Sequence, residues 1–115
     1  MVSSVYEKIY QNRRIESRKN IIDSLTKTIK ENSREIGVPE KDYKKLPEIS
    51  SRDDVRPWIT YGFCLEDIAR SKKSPGKELN EITSSYLKLA REIEWSKGLY
   101  EISGKLAEIV LDKKE

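Results

Sequence analysis

Isoleucines at positions 15, 22, 29 and 36 recur every seven residues, and Leu25 follows Ile22 by three. A single apolar stripe at that spacing predicts an amphipathic helix from near Arg14 to Ile36. Gly37 stands where a left-handed residue closes a helix, and Pro39 blocks continuation. Upstream, Val5, Ile9 and Ile15 share no helical phase. Ser4 and Glu7 are spaced as a capping box, so residues 1–12 read as a linker or a short lead-in helix. The remainder, 13–115, reads as one helix-bundle domain.

Pro39, Pro47 and Pro57 punctuate residues 37–57, predicting a short helical turn over 40–46 and then a loop. Pro57 suits a first helical turn, where a missing N–H costs nothing. Trp58, Tyr61, Leu65, Ile68 and Ala69 form a second stripe that ends in Ser71–Lys77. Phe63 lies well round from it. Leu79, Ile82, Tyr86, Leu89 and Ile93 form a third stripe, and Leu99, Ile102, Leu106 and Ile109 a fourth, displaced by one residue. Gly98 sits at the displacement and predicts a break or kink, although Trp95 would keep one continuous helix in phase. No alternating apolar–polar run predicts a strand. The fold class is all-α, a small bundle of three to five helices.

Composition narrows the chemistry. Of 115 residues, 36% are hydrophobic and 37% charged, which suits thin layers in which each helix buries one stripe. No apolar run approaches a membrane span and no signal-peptide core follows Met1, so a cytoplasmic, membrane-independent protein is expected. With one cysteine, Cys64, and no histidine, an internal disulfide and a zinc site are excluded, and the commonest general base is missing. Cys64, among apolar neighbours, reads as a buried, inert thiol. The adjacent pairs Asp53-Asp54 and Glu66-Asp67 diverge on a helix and form no catalytic set; Asp53 and Asp54 read as helix-start residues.

The net charge is +3, and the basic surplus falls in residues 1–77. Four segments combine cations with groups suited to a polyanion. Arg52 precedes Arg56-Pro57-Trp58-Ile59-Thr60-Tyr61-Gly62-Phe63, where aromatic faces beside guanidinium groups suit unstacked bases, although Trp58 and Tyr61 equally suit a thin core. Lys72, Lys73 and Lys77 lie in an acid-free turn with Gly76, a phosphate-contact loop or a solvated turn. Gly76-Lys77 is no P-loop: Ser71 replaces the first glycine and Glu78 the Ser/Thr. Arg14 and Arg18 stand one turn apart and suit successive phosphates, or simply a basic helix start. Lys88, Arg91 and Trp95 share a face, where the indole either stacks on a base or packs on the last helix.

The aromatic-basic segment, the tract Arg14-Ile15-Glu16-Ser17-Arg18-Lys19-Asn20-Ile21-Ile22-Asp23 and the helix-only pattern resemble the helix-bundle domain that follows the catalytic domain in replication primase-polymerases of archaeal plasmids. The likeness covers about residues 10–112 and rests on overall pattern and two tryptophans in basic helices. It implies a non-catalytic domain partnering the catalytic primase-polymerase domain, which holds the active-site carboxylates. It also implies binding of single-stranded DNA template and of a nucleoside triphosphate, ATP, with Mg²⁺ carried by the nucleotide. Arg56, Trp58, Lys72, Lys73, Lys77, Lys88, Arg91 and Trp95 are then the expected contacts, with Arg14, Arg18, Arg52 and Tyr61 beside them. The alternative is a small helical adaptor subunit in a nucleoprotein complex, such as a CRISPR effector assembly, presenting the Ile15/Ile22/Ile29 face to a protein partner or to a second copy.

Overall fold

A computed structural model describes the backbone of residues 2–94 and 96–112, and side chains within that range from Val5 onward. Trp95 lies outside the described residues. The described residues form five helices of sixteen or seventeen residues: α1 (Val2–Ser17), α2 (Lys19–Glu35), α4 (Val55–Ser71), α5 (Gly76–Glu92) and α6 (Lys97–Asp112). One short turn of helix, α3 (Glu40–Tyr43), and a 3₁₀ turn at Arg52–Asp54 interrupt the long α2–α4 connection.

Each stripe read from the sequence faces inward. Ile15, Ile22 and Ile29 are buried, as are Trp58, Tyr61, Leu65 and Ala69. So are Leu79 to Ile93 of the third stripe and Leu99, Ile102 and Leu106 of the fourth. α2 packs on α5, α5 on α6, and α6 on α4. Facing residues give the directions. Ile59 meets Gly98, Gly62 meets Ile102, and Glu66 meets Lys105, so α4 and α6 run parallel. Arg18 at the head of α2 pairs with Glu92 at the tail of α5, so those two run antiparallel. The starts of α2, α4 and α6 therefore gather at one end of a body 49 Å long.

Three boundaries differ from the sequence expectation. The predicted Arg14–Ile36 helix bends at Arg18 (φ −112°, ψ 16°), whose N–H is shared between the carbonyls of Arg14 and Ile15. The bend keeps Ile15 in the core while α1 follows a different phase. The lead-in is accordingly a full helix running to Ser17, not a segment ending at residue 12. Between α5 and α6 the break comes after Glu92 and before Lys97, ahead of Gly98, which lies inside α6.

The other helix ends obey local chemistry. Gly37 takes φ +85° and ends α2 in a Schellman motif: its N–H donates to the Arg34 carbonyl and that of Val38 to Ser33. Asp54 accepts hydrogen bonds from the backbone and side chains of Ser50 and Ser51, fixing the entry to α4. Against the effect of burial, those bonds hold its carboxyl below the ordinary value.

Candidate nucleic-acid interface

Two of the expected stacking residues are interior. Trp58 is 0% exposed; its indole Nε1 donates to the Pro47 carbonyl at 2.9 Å, and its ring meets Tyr61 edge-on at 6.0 Å between centroids. Tyr61 is 3% exposed. Neither ring reaches a base, which corrects the expectation that they form a stacking platform. Their +3 and +4 spacing made them core, because the same spacing aligns them with Leu65.

Arg14 and Arg18 are also committed elsewhere. Their guanidinium groups pair with Glu94 at 2.9 Å and Glu92 at 2.7 Å. The Arg14 guanidinium, bonded to Tyr10 and facing Glu94, is held above its ordinary pKa. These contacts bind the α1–α2 bend to the end of α5, a packing role in place of phosphate contact. The face offered to a partner in the adaptor reading is likewise interior, since Ile15, Ile22 and Ile29 are at most 2% exposed.

The remaining cations separate into two groups. Lys72, Lys73 and Lys77 surround the α4–α5 turn, with Lys73 and Lys77 exposed. Arg52 and Arg56 lie at the opposite end of α4, about 24 Å away at 1.5 Å per residue. Arg91, in the last turn of α5, belongs to that second end, whereas Lys88 lies one turn back; both are exposed. The structure thus unites Arg52 and Arg56 but not the lysine-rich turn with them.

At the Arg52/Arg56 end, a cleft of about 340 Å³ opens between the starts of α4 and α6, lined by Arg52, Arg56, Ile59, Ser96 and Lys97 among others. A smaller groove of about 210 Å³ continues from it along the α4–α6 seam, lined by Ile59, Phe63, Gly98, Glu101, Ile102 and Lys105. Gly98 makes the groove possible: a Cβ there would stand 3.1 Å from Ile59 Cδ1. Phe63, 56% exposed, is the aromatic ring that faces out of this seam. Its azimuth, away from the Trp58/Tyr61/Leu65 stripe, was the signal that separated it from the core. Lys97 and Lys105 emerge only from the parallel register of α4 and α6.

Most carboxylates at this end have partners. Asp53 pairs with Lys8 at 3.5 Å, and Glu92 and Glu94 with Arg18 and Arg14, while Asp54 remains a charged carboxylate hydrogen-bonded by the two serines. Lys97 faces Glu101 only loosely at 3.8 Å, and Arg56 has no ion pair among the described residues. The positive ends of the α4 and α6 dipoles point the same way. Further along the seam, Lys105 stands 3.8 Å from the nearly buried Glu66, which Arg70 holds more closely at 2.9 Å.

Cys64 is half-buried instead of fully enclosed, and burial, with Asp42 and Asp67 nearby, pushes its thiol up, away from the reactive thiolate. Among the described residues, no three His, Cys, Asp or Glu side chains gather as a metal site. No helix among them is long and apolar enough to cross a membrane. The fold and the seam define a small helical-bundle domain with a groove that carries an exposed Phe63, below a cleft where Arg52, Arg56 and Lys97 stand with Asp53. Comparison of the chain with protein-family models, curated proteins and solved structures finds no match.

Proposed function

We propose that this chain is a non-catalytic domain that binds single-stranded nucleic acid along the α4–α6 seam. The observation that carries this reading is the combination of an exposed Phe63 with Arg56 and Lys97 at one end of the groove and Lys105 at the other. Phosphates need cations and unstacked bases need an accessible π-face; this groove supplies both within about two helical turns. The cleft at Arg52, Arg56 and Lys97 is also within the size range of small-ligand sites, which supports a nucleoside triphosphate there, with Mg²⁺ carried on its phosphates. The resemblance to the helix-bundle domains of archaeal plasmid primase-polymerases extends the reading. The strand is then a single-stranded DNA template, the nucleotide is the initiating ATP, and a catalytic primase-polymerase domain acts alongside in the cytoplasm.

The test is fluorescence anisotropy of a labelled single-stranded oligonucleotide, with and without ATP–Mg²⁺, at about 50 and 200 mM salt. Affinity falls steeply with salt. Phe63→Ala weakens binding by about tenfold or more, in line with 1–3 kcal/mol per stacked base. Arg56→Ala/Lys97→Ala weakens it and lowers the salt slope by about one to two. Absence of binding at low salt, or binding indifferent to these substitutions, overturns the proposal.

A further inference from the structure

α1 carries an apolar face that none of the described residues covers. Val5, Tyr6, Ile9 and Tyr10 are 58%, 68%, 48% and 57% exposed. The helix meets the body through Ile15, through Asn12 Oδ1, which accepts the Arg52 backbone N–H at 3.0 Å, and through the Lys8–Asp53 pair, with Ile9 and Arg13 at the edge of a cleft that Ile49 and Ser50 also line. Four large side chains on two adjacent turns make a contiguous patch, unlike singly scattered surface residues. Arg14 lies 5.9 Å from the centre of the Tyr10 ring, so that ring is held before any partner arrives.

We infer that α1 is a self-association surface that pairs antiparallel with α1 of a second copy. The stripe Tyr6, Ile9, Tyr10, Arg13 follows the i, i+3, i+4, i+7 pattern and is symmetric about the midpoint between Ile9 and Tyr10. A two-fold axis through that midpoint sets Ile9 of one copy against Tyr10 of the other, and Tyr6 against Arg13. Arg13 is exposed and has no ion pair among the described residues, so its guanidinium is available to lie over the facing Tyr6 ring. Each residue thereby meets a chemically suitable counterpart, as an isologous contact requires. Covering Tyr6, Ile9, Tyr10 and Arg13 on both copies removes on the order of 1,000 Å², the low end for a specific interface. A second copy therefore associates weakly and reversibly. The residues of the contact all belong to α1, so it stands whether or not the α4–α6 seam binds nucleic acid.

Sedimentation velocity on the chain over a range from about 10 µM to 1 mM tests the inference. The expected result is a concentration-dependent monomer–dimer equilibrium that Ile9→Glu/Tyr10→Glu abolishes while helical circular dichroism and Tm are retained. In a Cys64→Ser background, Tyr6→Cys mixed with Arg13→Cys forms a disulfide-linked dimer under mild oxidation. Tyr6→Cys alone forms far less, because the antiparallel register sets the two copies of position 6 apart. A chain monomeric throughout, a dimer indifferent to Ile9→Glu/Tyr10→Glu, or equal cross-linking in both mixtures overturns the proposal and assigns the face to a different occupant.

Discussion

The Tyr86 hydroxyl donates a hydrogen bond to the backbone carbonyl of Trp58, joining α5 to α4 through the centre of the core. Gly62, one turn beyond Trp58, leaves the space this contact occupies. A Cβ at residue 62 would stand 2.5 Å from Tyr86 Oη and 2.9 Å from Ile102 Cγ1. Three helices thus converge on a position where a side chain is absent.

Gly62→Ala is expected to destabilise the protein although alanine is the better helix former. The propensity gain of about 1 kcal/mol is outweighed by overpacking costs of about 1–3 kcal/mol, because both crowded neighbours are themselves enclosed. Gly104→Ala is the control. Nothing lies within 4 Å of its Cβ position, so it gains up to about 1 kcal/mol. Thermal melts of the two variants move in opposite directions.

The two core tyrosines differ in the same way. Tyr86→Phe loses a bonded hydroxyl and costs about 1 kcal/mol. Tyr61 Oη is buried without a partner among the described residues, so Tyr61→Phe is neutral or stabilising by about 1 kcal/mol. Urea unfolding separates the two. Burial holds both phenols above their ordinary pKa.

Stability and strand binding dissociate between Trp58 and Phe63. Trp58→Phe gives up the bond to Pro47 and some core volume, at about 2 kcal/mol, and leaves oligonucleotide affinity unchanged within about twofold. Phe63→Ala changes stability by no more than about 0.5 kcal/mol and lowers affinity. Paired melts and titrations check both arms, and affinity lost through Trp58→Phe with retained fold would return the indole to the interface.

Asp54 gives the fold a defined acid sensitivity. Its folded-state pKa lies below the ordinary 3.8, so it binds fewer protons folded than unfolded at mildly acidic pH. Its stabilising contribution is complete above the unfolded-chain value and is lost as pH falls through the lowered folded value. Asp54→Asn is therefore expected to cost about 1 kcal/mol near pH 7, a difference that narrows from about pH 5 downward. A difference that grows on acidification would contradict the capping geometry.

The helices were legible because each buries one stripe whose spacing survives in the sequence. Gly37 and Val38 end α2 through bonds local to six residues, so the stop at Gly37 was readable too. The bend at Arg18 was not, since it coincides with ion pairs to Glu92 and Glu94, more than seventy positions away. The functional surface followed the same rule. Trp58 and Phe63 are equally aromatic, and only their azimuths relative to Leu65 separate core from groove. The cations beside Phe63 depend on α6 running parallel to α4, which no local pattern encodes.

The packing of α2 on α5 has a consequence for how the chain is made. α2 leaves the ribosome with Ile22 and Ile29 bare, and the helix that covers them begins roughly forty residues later, a wait of seconds at about 5–20 residues per second. During that interval the hydrated flanks at Lys27, Glu31 and Arg34 are what keep nascent copies apart. Slower translation across the α3 region therefore lengthens the period of greatest aggregation risk, while α4, α5 and α6, contiguous in the chain, assemble with little delay.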